Sequence, residues 1–380
     1  MTEARAGRGS YGGGSWRRWR VAVTGVNSKV ENPGPGRPVA RCLKESEEFE
    51  GELISLGYDV LDAGLYDRGL FDGGYLLPYP AAGERALLER IEEIHSRTPL
   101  DAIIPCLDAE LPNFVRLRQR IESMGIRMLI PGRDGLKARS KDYLYSLCER
   151  LKVAAPETRI VSDPRFFRFC DEEGWRFPLV VKGVFYDAYV VYTADEAVNA
   201  FSSLAARWGY PVIVQKFVAG TEVNLVAVGD GRGTMEGAVM MRKRGITDKG
   251  KAWAGVTVHD DELEELSARL VDMLCWEGPL EVEAMRGEDG KLYIIEINPR
   301  FPAWVYLSAG VGRNLPLALL KMLAGEAPLD FPPLAAGKLF IRHAEELIVD
   351  ISDFESVLVA GEMAGTRKAV GCALSERAEL

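Results

Sequence analysis

The chain is 380 residues long, 47% hydrophobic, 27% charged and 9% aromatic, the composition of a globular protein with length enough for two or three cores. Its formal net charge of −9, from 47 basic and 56 acidic residues, excludes the basic field of a general nucleic-acid binder. No apolar run approaches the about 20 residues that span a bilayer, and the Arg-rich start lacks the apolar core of a signal peptide, so neither nucleic acid nor membrane is an expected partner.

The opening "MTEARAGRGSYGGGSWRRWR" carries five Arg against one Glu, with glycines and serines that cannot build a core. Residues 1–18 are therefore expected to be a disordered basic tail, a functional basic arm being the alternative. Over residues 19–132, "RVAVTGVN" and "DVLDAG" read as strands, "RPVARCLKES" and "GERALLERIEEIHS" as helices. "LDAIIPCLDAEL" reads as a buried strand running into a polar loop, "LPNFVRLRQRIESMG" as a helix, and "IRMLIPG" closes the set. This alternation predicts a parallel α/β domain with ligands at the carboxyl ends of its strands, where Asn27, Ser28, Asp108 and Glu110 stand as candidate substrate contacts. "ENPGPG" at 31–36 does not have dinucleotide-fingerprint spacing.

Residues 133–215 begin with a helix, "RSKDYLYSLCERLK", N-capped by Ser140. The strands "APETRIV", "FPLVVKGV", "AYVVYT" and "YPVIVQKFV" follow, with helices at 164–173 and 194–208. Residues 216–380 continue with "EVNLVAVG", "EGAVMMRKR" and "AWAGVTV" as strands, the amphipathic helix "DELEELSARLVDMLCW", the helix "NLPLALLKMLAGE" and a last strand "KLFIRHAEELIVDI". The six cysteines are scattered without a C-x-x-C pair, which fits a reduced, cytoplasmic protein. The three histidines form no ligand spacing.

The stretch "YIIEINPRF" at 293–301 raises the functional question. Alternation along a strand puts Ile294, Glu296, Asn298 and Arg300 on one face. Upstream, Asp289-Gly290 suits a two-residue hairpin turn closed by Glu288 and Lys291, a register that sets Glu283 opposite Glu296 and Glu281 opposite Asn298. Carboxylates about 5 Å apart across strands repel and call for a cation. Oxygen ligands beside an amide select a hard ion, Mg²⁺ shared with substrate phosphates, and Arg300 suits an anionic ligand. An exposed face with scattered acids is the alternative.

Lys182 ends the apolar strand "PLVVK", Lys141 opens a helix, and "VIVQKFVAGTE" places Gln215, Lys216, Val218 and Glu222 around a strand end. In this order, a strand lysine, "QKFVAGTE", an acidic hairpin and "EINPR" resemble the ATP-grasp superfamily over roughly residues 20–350, with "EINPR" close to the form in carbamoyl-phosphate synthetases and biotin carboxylases. The resemblance implies a Rossmann-like pre-ATP-grasp domain over 19–132. A two-lobed ATP-grasp domain follows, its linking helix and small lobe over 133–215 and its large lobe with a C-terminal strand extension over 216–380. It implies ATP and Mg²⁺, or Mn²⁺, as cofactors. Lys141 and Lys182 would contact the α/β-phosphates, Gln215, Lys216 and Val218 line the adenine pocket, and Glu222 take the ribose. Glu283, Glu296 and Asn298 would bind the metal, and Arg300, with Lys182, would serve catalysis.

The segment "KGVFYDAYVVY" lacks the glycine-rich lid of many members. Glu281 stands where D-alanine ligases carry an arginine, which leaves the acyl substrate open. "GITDKGKA" matches G-x-x-x-x-G-K, but Ala252 replaces the Ser/Thr and a strand follows, so it reads as an inter-strand loop with Arg242, Lys243 and Arg244 near the phosphates or on a solvated edge. The expected activity is an ATP-dependent ligase joining a small-molecule or peptide carboxylate to an amine, in a chain that could pair as a homodimer. A bicarbonate-activating enzyme and a non-catalytic nucleotide-binding protein are the alternatives.

Overall fold

The computed structural model describes residues 15–138, 140–183, 187–326 and 329–363, without the side chains of Ala138, Lys141 and Asp142. Its backbone is organised in three sheets. The first contains β1 (Arg20–Thr24), β2 (Glu52–Gly57), β3 (Gly73–Leu76) and β4 (Ala102–Ile104), all parallel, in the order β3-β2-β1-β4. Helices Gly36–Lys44, Gly83–Arg97 and Leu111–Ser123 lie between or after these strands, as parallel pairing demands of its crossovers. Leu53, Ile54 and Leu56 of β2 are all buried, the continuous apolar run of a strand covered on both faces.

Four expectations shift here. "DVLDAG" is a turn followed by the short 3-10 helix Ala63–Leu65, because the Asp62 carboxylate accepts from the Tyr58 and Asp59 amides at 2.8 and 3.2 Å. The strand is the preceding "ELISLG". "IRMLIPG" supplies only an isolated bridge, Ala102 to Arg127. At the other end of the chain, "KLFIRHAEELIVDI" forms a strand over three residues alone. The expected basic tail covers 1–18, but Trp16–Arg18 form a 3-10 helix with Trp16 5% exposed, its indole donating to Glu326 at 2.5 Å; residues 1–14 lie outside the described residues.

The small sheet holds β5 (Thr158–Val161), β6 (Leu179–Lys182), β7 (Ala188–Val191) and β8 (Val212–Lys216), antiparallel in the order β5-β8-β6-β7. Helix Ala194–Trp208 packs on it through Ala197, Ala200, Phe201 and Leu204. The large sheet is antiparallel throughout. It contains β9 (Gly220–Asp230), β10 (Met235–Ile246), β11 (Ala252–Thr257), β12 (Glu277–Gly287), β13 (Leu292–Asn298) and β14 (Leu339–Ile341), in the order β13-β12-β9-β10-β11-β14. One face buries Val223, Leu225, Val282, Ala284, Ile294 and Ile297 in a core with helix Asp261–Leu274. The other face carries the acidic residues.

The chain does not end on the large sheet. Helix Ile351–Ala360 and β15 (Glu362–Met363) return to the first sheet, where β15 pairs antiparallel with β3. Residues 364–380 lie outside the described residues. Further ties fix the first sheet against the large one: Arg118 forks onto Glu277 with two bonds of 2.7 Å, and Asn314 donates to the Cys42 carbonyl at 2.6 Å. Among the described residues no helix is long and apolar enough to cross a membrane. Cys42, Cys106, Cys148 and Cys170 are buried free thiols and Cys275 is exposed.

Candidate active site

The β12–β13 hairpin pairs Glu283 with Glu296 and Glu281 with Asn298, as expected, but by a different route. The turn has three residues, Glu288 to Gly290, closed by the Gly287 amide on the Lys291 carbonyl at 2.9 Å, with Gly290 in the left-handed region at φ 78. That shifts the ladder by one residue, so Ala284 faces Ile294. A bulge at Ile295 then restores the register. The bulge also flips the parity: Ile294 is fully buried with the core and does not share a face with Glu296.

On the acidic face, Glu281 and Glu283 are joined by one amide. Asn298 Nδ2 donates to Glu281 Oε2 and to Glu283 Oε1, both at 3.0 Å. Trp304 Nε1 donates to Glu281 Oε1 at 2.7 Å. Lys243 of β10 reaches the same cluster: its ammonium pairs with Glu222 of β9, lies 3.5 Å from Glu283 Oε2 and donates to the Gly250 carbonyl at 3.2 Å. Burial, reinforced by Glu283, raises the Glu281 carboxyl above the ordinary range. Burial opposes ionisation at Glu283 as well, but Lys243 and Lys251 outweigh it and hold that carboxyl well below. Glu222 is pushed up by burial, against the pull of Lys243.

Beside this cluster a cleft with about 630 Å³ of empty space, part of it open to solvent, lies between the large sheet and the strand ends of the first. Asn27 and Asp108 line it from one side, Lys243, Lys251, Glu283 and Arg300 from the other. Arg300 is 8% exposed; its Nε donates to Asp108 Oδ2 at 2.9 Å, its Nη1 to the Phe301 carbonyl at 3.2 Å, and Glu281 Oε2 is 3.7 Å away. Burial disfavours its charge, but Asp108 and Glu281 outweigh that and keep it firmly protonated. The "GITDKGKA" segment is indeed the β10–β11 loop and delivers Lys251 to the cleft. Glu31 holds that loop, its carbonyl accepting from Thr247 Oγ1 at 3.2 Å and its carboxylate from the Asp248 amide at 3.1 Å.

Not every candidate reaches the cleft. Glu110 is fully buried and spent on structure: Oε1 accepts from the Cys106 and Leu107 amides, each at 2.8 Å, and from Thr24, while Oε2 accepts from Tyr58. Ser28 accepts from Arg37 at 2.9 Å outside the cleft lining. Arg242 neighbours Lys243 on β10, so it faces the opposite side, paired with Val223 and Val256. Lys251 and Trp304 are cleft residues that the motifs did not single out, and Lys243 was named only as one of the basic run 242–244; for Lys251 the G-K pair carried the one signal.

The nucleotide candidates sit on the small sheet and the β9 start. Lys182 is 7% exposed and donates to Gln215 Oε1 at 2.7 Å, and Gln215 Nε2 donates to Thr158 Oγ1 at 3.0 Å. Lys216 pairs with Glu157 at 2.5 Å, and Val218 is half-buried beyond the end of β8. Lys141 opens helix Lys141–Leu151, its side chain outside the described residues. The β6–β7 connection, expected to be an atypical lid, is a hairpin closed by the Gly183 amide on the Asp187 carbonyl at 3.0 Å; residues 184–186 are not described.

The residues fit a hard cation that arrives with phosphate. Glu283 and Glu296 face each other with an amide beside them, and an ammonium already stands among these oxygens. Among the described residues no group of three or more His, Cys, Asp or Glu side chains is gathered for a metal by itself. Two carboxylates and an amide suit Mg²⁺, which keeps phosphate and water ligands rather than a protein-only cage.

Residues 210–345 match the family model described as "ATP-grasp in the biosynthetic pathway with Ter operon". The carbamoyl phosphate synthase large chain of Thermus thermophilus is 26% identical over 324 residues, covering 76% of this chain and 30% of that one. The chain thus spans under a third of the length of that curated relative. Among solved structures, biotin carboxylase from Campylobacter jejuni superposes with a TM-score of 0.63 at 14% identity, covering 83% of this chain and 73% of that one. L-amino acid ligase from Bacillus licheniformis gives 0.59 at 15%, covering 82% and 76%. The family match spans the acidic hairpin, Lys243 and Arg300, and the structural likeness extends the shared fold to most of the chain. The chain thus resembles the ATP-grasp superfamily, in sequence over residues 210–345 and in fold over most of its length.

Proposed function

We propose that the protein is an ATP- and Mg²⁺-dependent ligase that activates a carboxylate as an acyl phosphate and joins it to an amine. The observation that carries this reading is the juxtaposition, beside one cleft, of a cross-strand carboxylate pair, an amide and a buried arginine held by the first sheet. Glu283, Glu296 and Asn298 would hold the metal; when bound, it supplies charge neutralisation on the phosphates. Lys182 and Lys141 would hold the α/β-phosphates, Gln215, Lys216 and Val218 the adenine, and Glu222 the ribose.

The chemistry asks the chain to position and to neutralise. A substrate carboxylate oxygen bonds to the γ-phosphorus as the bond to the β,γ-bridging oxygen breaks, releasing ADP. The amine then attacks the acyl carbon, phosphate leaves, and the amine's proton passes to the phosphate or solvent. Arg300 is suited to both steps: Asp108 and the Phe301 carbonyl hold Nε and Nη1, fixing a cation at the cleft wall without a reorganisation cost. The first-sheet residues Asn27 and Asp108 would form the opposite wall of the substrate site.

The test is ADP release from Mg·ATP across pools of amino acids, small peptides and bicarbonate. Release that requires both a carboxylate and an amine is expected. Release with bicarbonate alone would favour the chemistry named for the carbamoyl phosphate synthase and biotin carboxylase relatives. ATP binding with no stimulated release from any pool would count against turnover and for a nucleotide-binding role.

A further inference from the structure

Lys243 occupies an unusual place for a cation in a metal-binding cluster. Its side chain is 9% exposed, and it stands within one salt bridge of Glu222 and 3.5 Å from Glu283 Oε2. Its third partner, the Gly250 carbonyl, belongs to the loop that Glu31 holds against the cleft. The other oxygen of Glu283 is engaged by Asn298 Nδ2, so both oxygens of a carboxylate expected to ligate a metal face donors. Glu296, opposite Glu283, has no hydrogen bond or ion pair to a described residue among those the structure gives, and is only half-buried.

A divalent ion needs the lone pairs of Glu283 at about 2 Å, and an ammonium cannot keep the same oxygen when such an ion arrives. Carboxylates this close cannot stand together uncompensated, because like charges in a buried site repel strongly and either one neutralises or a cation bridges them. Lys243 is the cation that bridges Glu222 and Glu283. Burial disfavours the ammonium's charge, but Glu283 and Glu222 outweigh it and keep it protonated.

We propose that Lys243 is the resident counter-ion of this site: it holds the metal's place at Glu283, and the incoming metal–nucleotide displaces it from that carboxylate. The inference rests on the metal assignment above. Lys243 then remains at the cleft wall with Glu222 and the Gly250 carbonyl as its partners. The Lys243 side chain therefore sets the affinity for the metal by competing with it, the opposite of a ligand's role.

Mn²⁺ titration followed by electron paramagnetic resonance, at saturating ADP, tests this without any need for the acyl substrate. Lys243→Met should bind Mn²⁺ about tenfold more tightly than the wild-type protein, whereas Lys243→Arg, which keeps a cation there, should stay within about threefold of it. Damage to the fold would weaken binding, so tightening is a readout that a merely structural role would not produce. Equal or weaker binding in a Lys243→Met protein that melts as the wild type does, with wild-type binding intact, would overturn the counter-ion role alone. ADP-dependent Mn²⁺ binding that is absent from the wild-type protein, or unchanged in Glu283→Gln, would remove the metal assignment and this inference with it.

Discussion

Glu110 and Glu283 are both glutamates withdrawn from solvent near the same cleft, yet the protein satisfies them by opposite means. Glu110 meets only neutral donors: two backbone amides, a threonine hydroxyl and a tyrosine hydroxyl. Those dipoles do not overcome its burial, so its carboxyl sits above the ordinary range. Glu283 meets an ammonium, a second lysine nearby and an amide, and sits below the ordinary range. Neutral donors fixed by backbone close a loop, whereas an ammonium on a carboxylate is a partner that a stronger cation can replace. The first arrangement suits the scaffold, and under the proposed metal assignment the second suits the chemistry.

Substituting at each centre should separate the two roles. Glu296→Gln, which keeps the shape but removes a charge from the Glu283 pair, should lower ADP release by about a thousandfold, the scale of losing a principal electrostatic contact. Its melting temperature should stay within about 2 °C of wild type, since Glu296 is only half-buried. Undiminished Mg²⁺-dependent turnover in this variant would sink the metal assignment. Asp108→Ala should cost about 3–4 kcal/mol in a urea titration, because it leaves the buried Arg300 without its main partner. Asp108→Asn, which keeps an acceptor, should recover part of that stability but not the turnover, if Asp108 acts by orienting Arg300.

Glu110→Ala should cost about 2–3 kcal/mol of stability by stranding buried donors, with ADP release per folded molecule little changed. A large loss of turnover at unchanged stability would move Glu110 to the substrate side of the comparison. The smallest effect concerns pH. The raised pKa means that the folded protein binds the Glu110 proton more tightly than the unfolded chain does. This contribution is fully present below the unfolded value of about 4.3 and fades as pH rises through the folded value, where the buried carboxyl ionises. The stability difference between wild type and Glu110→Gln should therefore shift against wild type as pH rises from 4 to 7. A flat difference would show that the fold does not raise the Glu110 carboxyl above its unfolded value.

Much of this site was legible in the order of residues. The alternation in "VIVQK", "EVNLVAVG" and "EGAVMMRKR" gives the strands, and the cross-strand pairs Glu283–Glu296 and Glu281–Asn298 follow from the hairpin signal at Asp289-Gly290. That register came out right because two one-residue errors cancel, a longer turn and an unforeseen bulge at Ile295, and no local signal marks a bulge in a run of β-branched residues. The roles of Arg242 and Lys243 could not be told apart, since which of two adjacent residues faces the site depends on the pairing of β10 with its neighbours. Glu110 read as a loop acid because its four donors come from three separate segments. The return of residues 351–363 to the first sheet was equally invisible, being set by distant contacts such as Arg97–Glu362 and Arg90 on the Gly361 carbonyl.

The central claim is that this face transfers a phosphoryl group to a carboxylate. Its most direct test is to supply Mg·ATP, an amine pool and amino acids carrying ¹⁸O in their carboxylates, and to weigh the phosphate released. Formation of an acyl phosphate followed by amine attack moves one carboxylate oxygen into that phosphate, so the account predicts one ¹⁸O per phosphate with the wild-type protein and no labelled phosphate above background with Glu296→Gln. ADP formed at the same rate with unlabelled phosphate would contradict it.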